Sequence, residues 1–191
     1  MELNLERDNY QLRTFLREVL GTLLLAVAIF LLIQATVQPS VVIGSSMEPN
    51  LLPGQRVLIS KVAYLFHEPE RGDIVVFNPP ENFASEDDYI KRIIGLPGEV
   101  IEIKEGKVYI HQEDGNVLIL DEAEYIDTPA TYSFLSETIP PDEYFVLGDN
   151  RNSSNDSHGG WMVPRQDIIG KAWLSIWPAA TWGLAPNYSL P

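Results

Sequence analysis

The chain has 191 residues, of which 45% are hydrophobic, and this predicts one principal domain with a sizeable core. Its formal net charge of -14 argues against a nucleic-acid partner, because phosphate binding requires a basic surface. It contains no cysteine, which excludes a disulfide framework and thiolate metal sites.

The amino-terminal part of the chain predicts a membrane anchor. Residues 1–18 are polar, whereas residues 19–37 carry no charge and supply the ~20 apolar residues that a membrane-spanning helix needs. A buried core helix would keep a polar face, and a cleavable signal peptide would have a shorter apolar region. Because arginines precede the span, we expect residues 1–18 to be cytoplasmic and residues 38–191 to lie outside the cytoplasm.

Short strands are predicted from Val41 onward. Seven segments are β-branched or aromatic, and glycine or proline separates most of them. They are residues 57–60, 73–77, 89–94, 100–103, 107–110, 117–120 and 144–147. Glu105-Gly106 and Asp114-Gly115 predict hairpin turns. The fold class is therefore all-β and mainly antiparallel, with one transmembrane helix and a smaller β excursion at about 104–141.

Two other segments are defined by composition. Residues 79–88 are polar and acidic, and they predict a loop between two strands. Residues 170–182 contain three of the four tryptophans. Tryptophan is favoured where an apolar surface meets water, but packing inside the core is an equally good interpretation.

A serine-bearing turn at 42–55 is the first candidate for chemistry. Ser45 and Ser46 precede Pro49 and Gly54, which fix or permit unusual backbone angles, so the segment is predicted to be a stiff turn. A serine on such a turn can be exposed while neighbouring amides point at a developing oxyanion. Ordinary turn serines are the competing interpretation of this stretch.

Lys91 is the second candidate. Side chains alternate along a strand, so Lys91 shares a face with Tyr89 and Ile93, while Arg92 points to the opposite face. Burial of that face would lower the pKa of the lysine amine from its ordinary value of about 10.4, which suits a general base. A lysine whose amine reaches water is the alternative.

The polar run at 148–157 directly follows an apolar strand. It lacks the acidic spacing and the terminal glutamate of an EF-hand calcium loop, and a solvated loop is the alternative interpretation. The histidines, His67, His111 and His158, have no recognisable Ser-His-Asp context. Lys91 is therefore the better candidate for a base.

Four ordered motifs occur between Val42 and Pro164. They are Ser-Met-Glu-Pro-Asn-Leu at 46–51, Arg-Gly-Asp-Ile-Val-Val-Phe at 71–77, Tyr-Ile-Lys-Arg with Gly-Leu-Pro-Gly at 89–98, and Gly-Asp-Asn-Arg with the following serines and aspartate at 148–157. Together with the anchor, they resemble type I signal peptidases (leader peptidases). The resemblance implies a membrane-bound serine endopeptidase that needs no cofactor or metal.

Such an enzyme removes signal peptides from secretory precursor proteins and cuts after small residues, as in Ala-X-Ala. The resemblance implies a Ser/Lys dyad in which Ser46 is the nucleophile and Lys91 the general base. Ser154 matches the hydroxyl that orients the lysine amine. Gly44 stands where some members have a serine that contributes to the oxyanion hole, and the amide of Ser46 is then one donor. A bacterial plasma membrane is expected, with a thylakoid or organellar membrane as the alternative.

Three further positions near the site follow from the same resemblance. Asp149 matches a carboxylate expected to pair with Arg92, and this agrees with Arg92 pointing away from Lys91. Asp156 matches a second structural carboxylate. His158 stands where an arginine is frequent, which leaves the charged partner of Asp156 open.

Two other functions compete with this interpretation. Self-cleaving relatives of SOS-type repressors share a Ser-Met turn and a downstream lysine strand, but they lack an anchor and the Gly-Asp-Asn-Arg motif. A membrane-tethered β-rich binding module without catalysis predicts an ordinary pKa for Lys91. It also predicts that Ser46 does not react with serine-directed acylating inhibitors.

Overall fold

The computed structural model describes residues 2–80 and 87–191, and of residues 2–12 it describes the backbone only. Most of the acidic loop predicted at 79–88 lies outside the described residues. The chain divides into two compact units, of which the first ends at Val37 and the second is Gln38–Pro191.

The first unit consists of one helix, α1 (Glu2–Thr36). Its segment Arg13–Thr36 has a mean hydropathy of 2.4 and is long and apolar enough to cross a membrane. The hydroxyls of Thr22 and Thr36 donate to carbonyl oxygens four residues earlier, each over 2.9 Å, so these polar groups are satisfied within the helix. The predicted amino-terminal apolar helix is confirmed.

The rest of the described chain is mainly antiparallel β-sheet, as predicted. The strands are β1 (Val37–Val41), β2 (Arg56–Ser60), β3 (Ile74–Phe77), β4 (Tyr89–Gly95), β5 (Val100–Lys104), β6 (Lys107–His111), β7 (Val117–Ile119), β8 (Phe134–Leu135), β9 (Glu143–Leu147), β10 (Val163–Pro164), β11 (Ile168–Trp177) and β12 (Gly183–Leu184). Single 3-10 turns are formed by Ser157–Gly159, Arg165–Asp167 and Ala179–Thr181. The seven predicted strands correspond to β2–β7 and β9.

The larger sheet has the strand order β1-β2-β11-β3-β4-β9-β10, and β12 pairs with β11. The sequence prediction missed β11, although it is the longest of these strands and pairs antiparallel with both β2 and β3. Its buried positions include Gly170, Ala172 and Ser175, which are small. A Cβ atom at Gly170 would collide with the Ser60 carbonyl oxygen. Because the neighbouring strand packs so closely, the buried positions of β11 hold small residues. The sequence therefore lacks the alternation of bulky apolar and polar residues from which strands are predicted.

The smaller sheet has the order β7-β6-β5-β8 and begins at Val100, slightly before the predicted start of the excursion at about 104. The hairpin between β5 and β6 turns at Glu105 and Gly106, which both have positive φ angles, 54° and 75°. This is the backbone geometry of a two-residue type I′ turn. Both predicted hairpins are confirmed, since β6 also pairs antiparallel with β7.

Candidate active site

Ser46 lies on the turn that joins β1 to β2. Backbone hydrogen bonds hold the two ends of this turn together, and one of them runs from the Val42 amide to the Gln55 carbonyl oxygen over 2.8 Å. Met47 and Leu51 are fully buried and anchor the turn in the core. The Ser46 hydroxyl is therefore presented from a well-braced backbone.

Lys91 projects from β4 towards this hydroxyl. Its Nζ atom lies 2.8 Å from Ser46 Oγ and 3.0 Å from the Ile90 carbonyl oxygen, and the residue is only 5% exposed. Burial lowers the pKa of the Lys91 amine to about 8, while the negative charges of Asp156 and Asp149 oppose that shift. Because of this lowered pKa, a fraction of the Lys91 amine is neutral near neutral pH.

A cavity of about 300 Å³ opens beside this pair. Residues 40–46 form one part of its lining, and residues 87–91 form another. Ser46 and Lys91 both line it, so a peptide bond placed in the cavity can meet the hydroxyl and the amine together. Gly44 also lines it with a φ angle of +79°, and a Cβ atom there would meet open space.

Arg92 points away from Lys91 and forms a buried ion pair. Its guanidinium donates to both carboxylate oxygens of Asp149, over 2.8 Å and 2.7 Å. The rings of Tyr125 and Tyr188 lie 4.6 Å and 5.0 Å from the guanidinium carbon. The Arg92 guanidinium therefore stacks on two aromatic rings and forms a bidentate ion pair with Asp149. This ion pair joins β4 to the loop that follows β9.

Two asparagines that were not predicted as site residues also brace the turn that carries Ser46. Asn50 Nδ2 donates to Asp149 Oδ2 over 2.8 Å and to the Tyr125 carbonyl oxygen over 2.7 Å. The backbone amide of Asn150 donates to the Ser46 carbonyl oxygen over 3.0 Å. The side-chain Nδ2 of Asn150 donates to the Ser45 carbonyl oxygen over 3.2 Å. Both asparagines occur within the quoted motifs, but the sequence contained no signal for these long-range contacts.

Ser154 does not make the hydrogen bond to Lys91 that the resemblance implies. Its Oγ atom is buried and has no hydrogen-bond partner among the described residues. The side chain packs against Gly148, where a Cβ atom would collide with it and would also come within 2.5 Å of the Ser46 carbonyl oxygen. Ser154 is thus close to the backbone of Ser46, while its part in orienting the amine stays a prediction.

Asp156 finds its partner in His158. The carboxylate is fully buried, and its Oδ2 atom accepts a hydrogen bond from the Gly148 amide over 2.8 Å. His158 Nδ1 lies 2.6 Å from Asp156 Oδ1, and the imidazole stacks on the Tyr132 ring at a centroid distance of 4.5 Å. His158 is thus the partner of Asp156 that the sequence analysis left open.

This arrangement matches the requirements of nucleophilic catalysis. A serine hydroxyl is a weak nucleophile until a base within hydrogen-bond distance removes its proton. A buried lysine amine is such a base, because its neutral form carries a free lone pair.

Comparison with known proteins gives a consistent result. A family model described as "Signal peptidase, peptidase S26" matches residues 16–177. The chain is 40% identical over 181 residues to a probable signal peptidase I-1 of Synechocystis, covering 92% of this chain and 89% of that protein. It is 44% identical over 144 residues to a probable signal peptidase I-2 of Synechocystis, covering 74% and 63% of the two chains. It is also 34% identical over 152 residues to thylakoidal processing peptidase 1 of Arabidopsis thaliana, covering 75% and 43%.

Proposed function

The chain belongs to the signal peptidase family, peptidase S26, and from this premise we propose that it is a membrane-anchored serine endopeptidase that removes signal peptides from secretory precursor proteins. Close relatives along most of the chain bear the name signal peptidase I, which supports the activity. The observation on which the proposed site depends is the 2.8 Å contact between Lys91 Nζ and Ser46 Oγ.

The mechanism follows from that contact. Neutral Lys91 accepts the proton of Ser46 while Oγ attacks the scissile carbonyl carbon, and an acyl-enzyme forms as the peptide C–N bond breaks. The lysine ammonium gives its proton to the leaving amine. Neutral Lys91 then takes a proton from water, whose oxygen attacks the acyl carbon. As the ester C–O bond breaks, the Lys91 ammonium returns that proton to Ser46 Oγ, and the product acid is released. The amide of Ser46 is one candidate donor to the oxyanion.

The substrates are expected to carry small residues, typically alanine, at the first and third positions before the cut. Helix α1 supports anchoring in the membrane at which such precursors are processed. Anchoring increases the effective concentration of enzyme and precursor, because both are confined to one surface. We place the amino terminus on the cytoplasmic side of a bacterial plasma membrane. Similarity to a thylakoidal processing peptidase supports the thylakoid as the alternative.

Replacement of Ser46 tests this function directly. Ser46→Ala should lower the cleavage of an Ala-X-Ala precursor by about 10³-fold or more, because no hydroxyl remains to attack. The full chain, purified in detergent, is assayed with a labelled precursor, and a serine-directed acylating inhibitor should label the wild type only.

Ser133→Ala is the matched control, since Ser133 is exposed on the surface of the smaller sheet. It should cleave the precursor at the wild-type rate. Retained cleavage by folded Ser46→Ala would remove Ser46 from the role of nucleophile. A wild-type protein that neither cleaves nor reacts with the inhibitor would favour the tethered binding module.

A further inference from the structure

His158 lies beside the proposed catalytic pair but takes no part in the mechanism above. Its imidazole contacts Asp156, which is itself bonded to the Gly148 amide. The His158 side chain is 31% exposed, so it can exchange protons with the solvent, whereas the Asp156 side chain is 0% exposed. This pair therefore connects a buried carboxylate near the site to the pH of the surroundings.

Three carboxylates in this region differ in the kind of partner they have. Asp149 pairs with Arg92, and Glu122 pairs with Arg151. Both guanidiniums stay charged at every working pH, so the net charge of these two pairs is constant. Asp156 instead pairs with an imidazole, which has both a neutral and a positively charged form. Among these three pairs, only the one at Asp156 has a partner that can be either neutral or charged.

Asp156 lies close to the proposed pair, because it accepts a hydrogen bond from the Gly148 amide over 2.8 Å and a Cβ atom on Gly148 would come within 2.5 Å of the Ser46 carbonyl oxygen. Asp156 is the first of two carboxylates whose negative charges raise the pKa of Lys91 against the effect of burial. The second, Asp149, is matched by Arg92 whatever the pH.

Tyr132 stacks on the His158 imidazole. Burial raises the pKa of Tyr132 to about 12, so the phenol contributes no charge in the working range.

We propose that His158 is a positioning residue that sets the effective charge of Asp156 and thereby the pH at which Lys91 becomes an active base. This role rests on the proposed function of Lys91. When the imidazole is protonated, it balances the carboxylate, and Lys91 releases its proton at a lower pH. When the imidazole is neutral, the carboxylate is unbalanced, and Lys91 holds its proton to a higher pH.

Two substitutions separate these states. His158→Arg fixes a positive charge beside Asp156, while His158→Gln keeps a hydrogen-bonding group without charge. The pH dependence of kcat/KM is measured for the full chain in detergent with a labelled Ala-X-Ala precursor. We expect the midpoint of the acidic limb to lie about one pH unit higher in His158→Gln than in His158→Arg, the size of effect that one nearby charge produces. Below both midpoints His158→Arg should be about ten-fold more active, with equal plateaus at high pH.

His111→Gln is the matched control. His111 Nε2 lies 3.0 Å from Glu102 Oε2, so it forms a second pair of histidine and carboxylate, but on the smaller sheet. Its substitution should leave the midpoint unchanged. Coinciding midpoints for the two His158 variants would overturn the proposal, and so would a lower plateau without a shift, which indicates a structural role alone.

A substitution at the carboxylate covers the case in which a His158 variant fails to fold. Asp156→Asn removes the negative charge and nearly keeps the shape of the side chain, so the midpoint of kcat/KM should lie about one pH unit below that of the wild type. An unchanged midpoint in folded Asp156→Asn would overturn the proposal. Cleavage of the precursor by Lys91→Met would instead reject the proposed function itself.

Discussion

Lys91 has an amine that is both buried and in contact with a hydroxyl. Burial is the main cause of its lowered pKa, because the ammonium form loses solvation that the two nearby carboxylates restore only in part. The amine is protonated below its folded-state pKa of about 8 and neutral above it. Since only the neutral amine accepts a proton, activity should increase as the pH rises through that value.

We therefore predict that kcat/KM of the wild type rises with pH through a midpoint of about 8. Lys91→Arg should lose about 10³-fold in kcat/KM at every pH, because a guanidinium does not deprotonate in this range. Both are measured as rates of precursor cleavage. Lys104→Arg, at an exposed position on β5, should match the wild type. A flat profile from about pH 6 to 10 would contradict this prediction.

The sequence predicted single site residues best where one strand or one turn determines their direction. Alternation along β4 correctly separated Lys91 from Arg92, which lie on opposite faces of one strand. Contacts between distant segments left no such signal. Asn50 reaches Asp149 across 99 residues, and no periodicity or turn rule connects positions that far apart.

At the scale of elements, the loop after β9 is packed directly against the turn that carries Ser46. Gly148 is a point of close approach, since a Cβ atom there would lie 2.5 Å from the Ser46 carbonyl oxygen and would also collide with Ser154. The adjacent Asn150 amide holds the same carbonyl oxygen. The position of Ser46 is thus fixed by a second element as well as by its own turn.

Gly148→Ala should lower kcat/KM by about 10²-fold, because the added methyl group displaces the Ser46 backbone and a small misplacement of reacting atoms is costly. Gly159→Ala is the control in the same polar region, where the nearest atom to the added methyl lies at an ordinary contact distance of 3.4 Å. Cleavage rates and melting temperatures are compared for the three proteins. A folded Gly148→Ala enzyme with wild-type kcat/KM would show that the close approach is irrelevant to activity.

At the same scale, strands were predictable where β-branched or aromatic side chains are concentrated, as in β2–β7. β11 has small residues at several buried positions, because the neighbouring strands leave no space for larger side chains there. Its central place in the sheet therefore could not be predicted from bulky apolar residues. Three further strands have only two residues each, which is too short to show a periodic pattern. They are β8, β10 and β12. The fold class followed from the sequence, while the order of the strands did not.

At the scale of the whole molecule, the helix and the β-rich part are separate compact units. The described residues that form the proposed site all belong to the second unit. The chemistry and the anchoring should therefore be separable by truncation.

Removal of residues 1–36 should leave the cleavage of a soluble Ala-X-Ala peptide within about 2-fold of the full chain. It should slow the processing of precursors embedded in proteoliposomes by about 10-fold or more, because confinement to the membrane surface is lost. Both substrates are assayed with both proteins at matched concentration. Equal processing of the embedded precursor by the two proteins would show that α1 contributes nothing to encounter with the substrate.

The place of β11 also determines when the enzyme can become active. Within the larger sheet, β2, which follows the turn that carries Ser46, is joined to β3 and β4 only through β11. β11 begins at residue 168, 91 positions after β3 ends at residue 77. In the proposed topology, residues 38–191 cross the membrane in chain order, so Ser46 and Lys91 emerge long before the strand that completes the sheet between them. Newly exported copies would remain unable to cut neighbouring polypeptides until translocation is nearly finished.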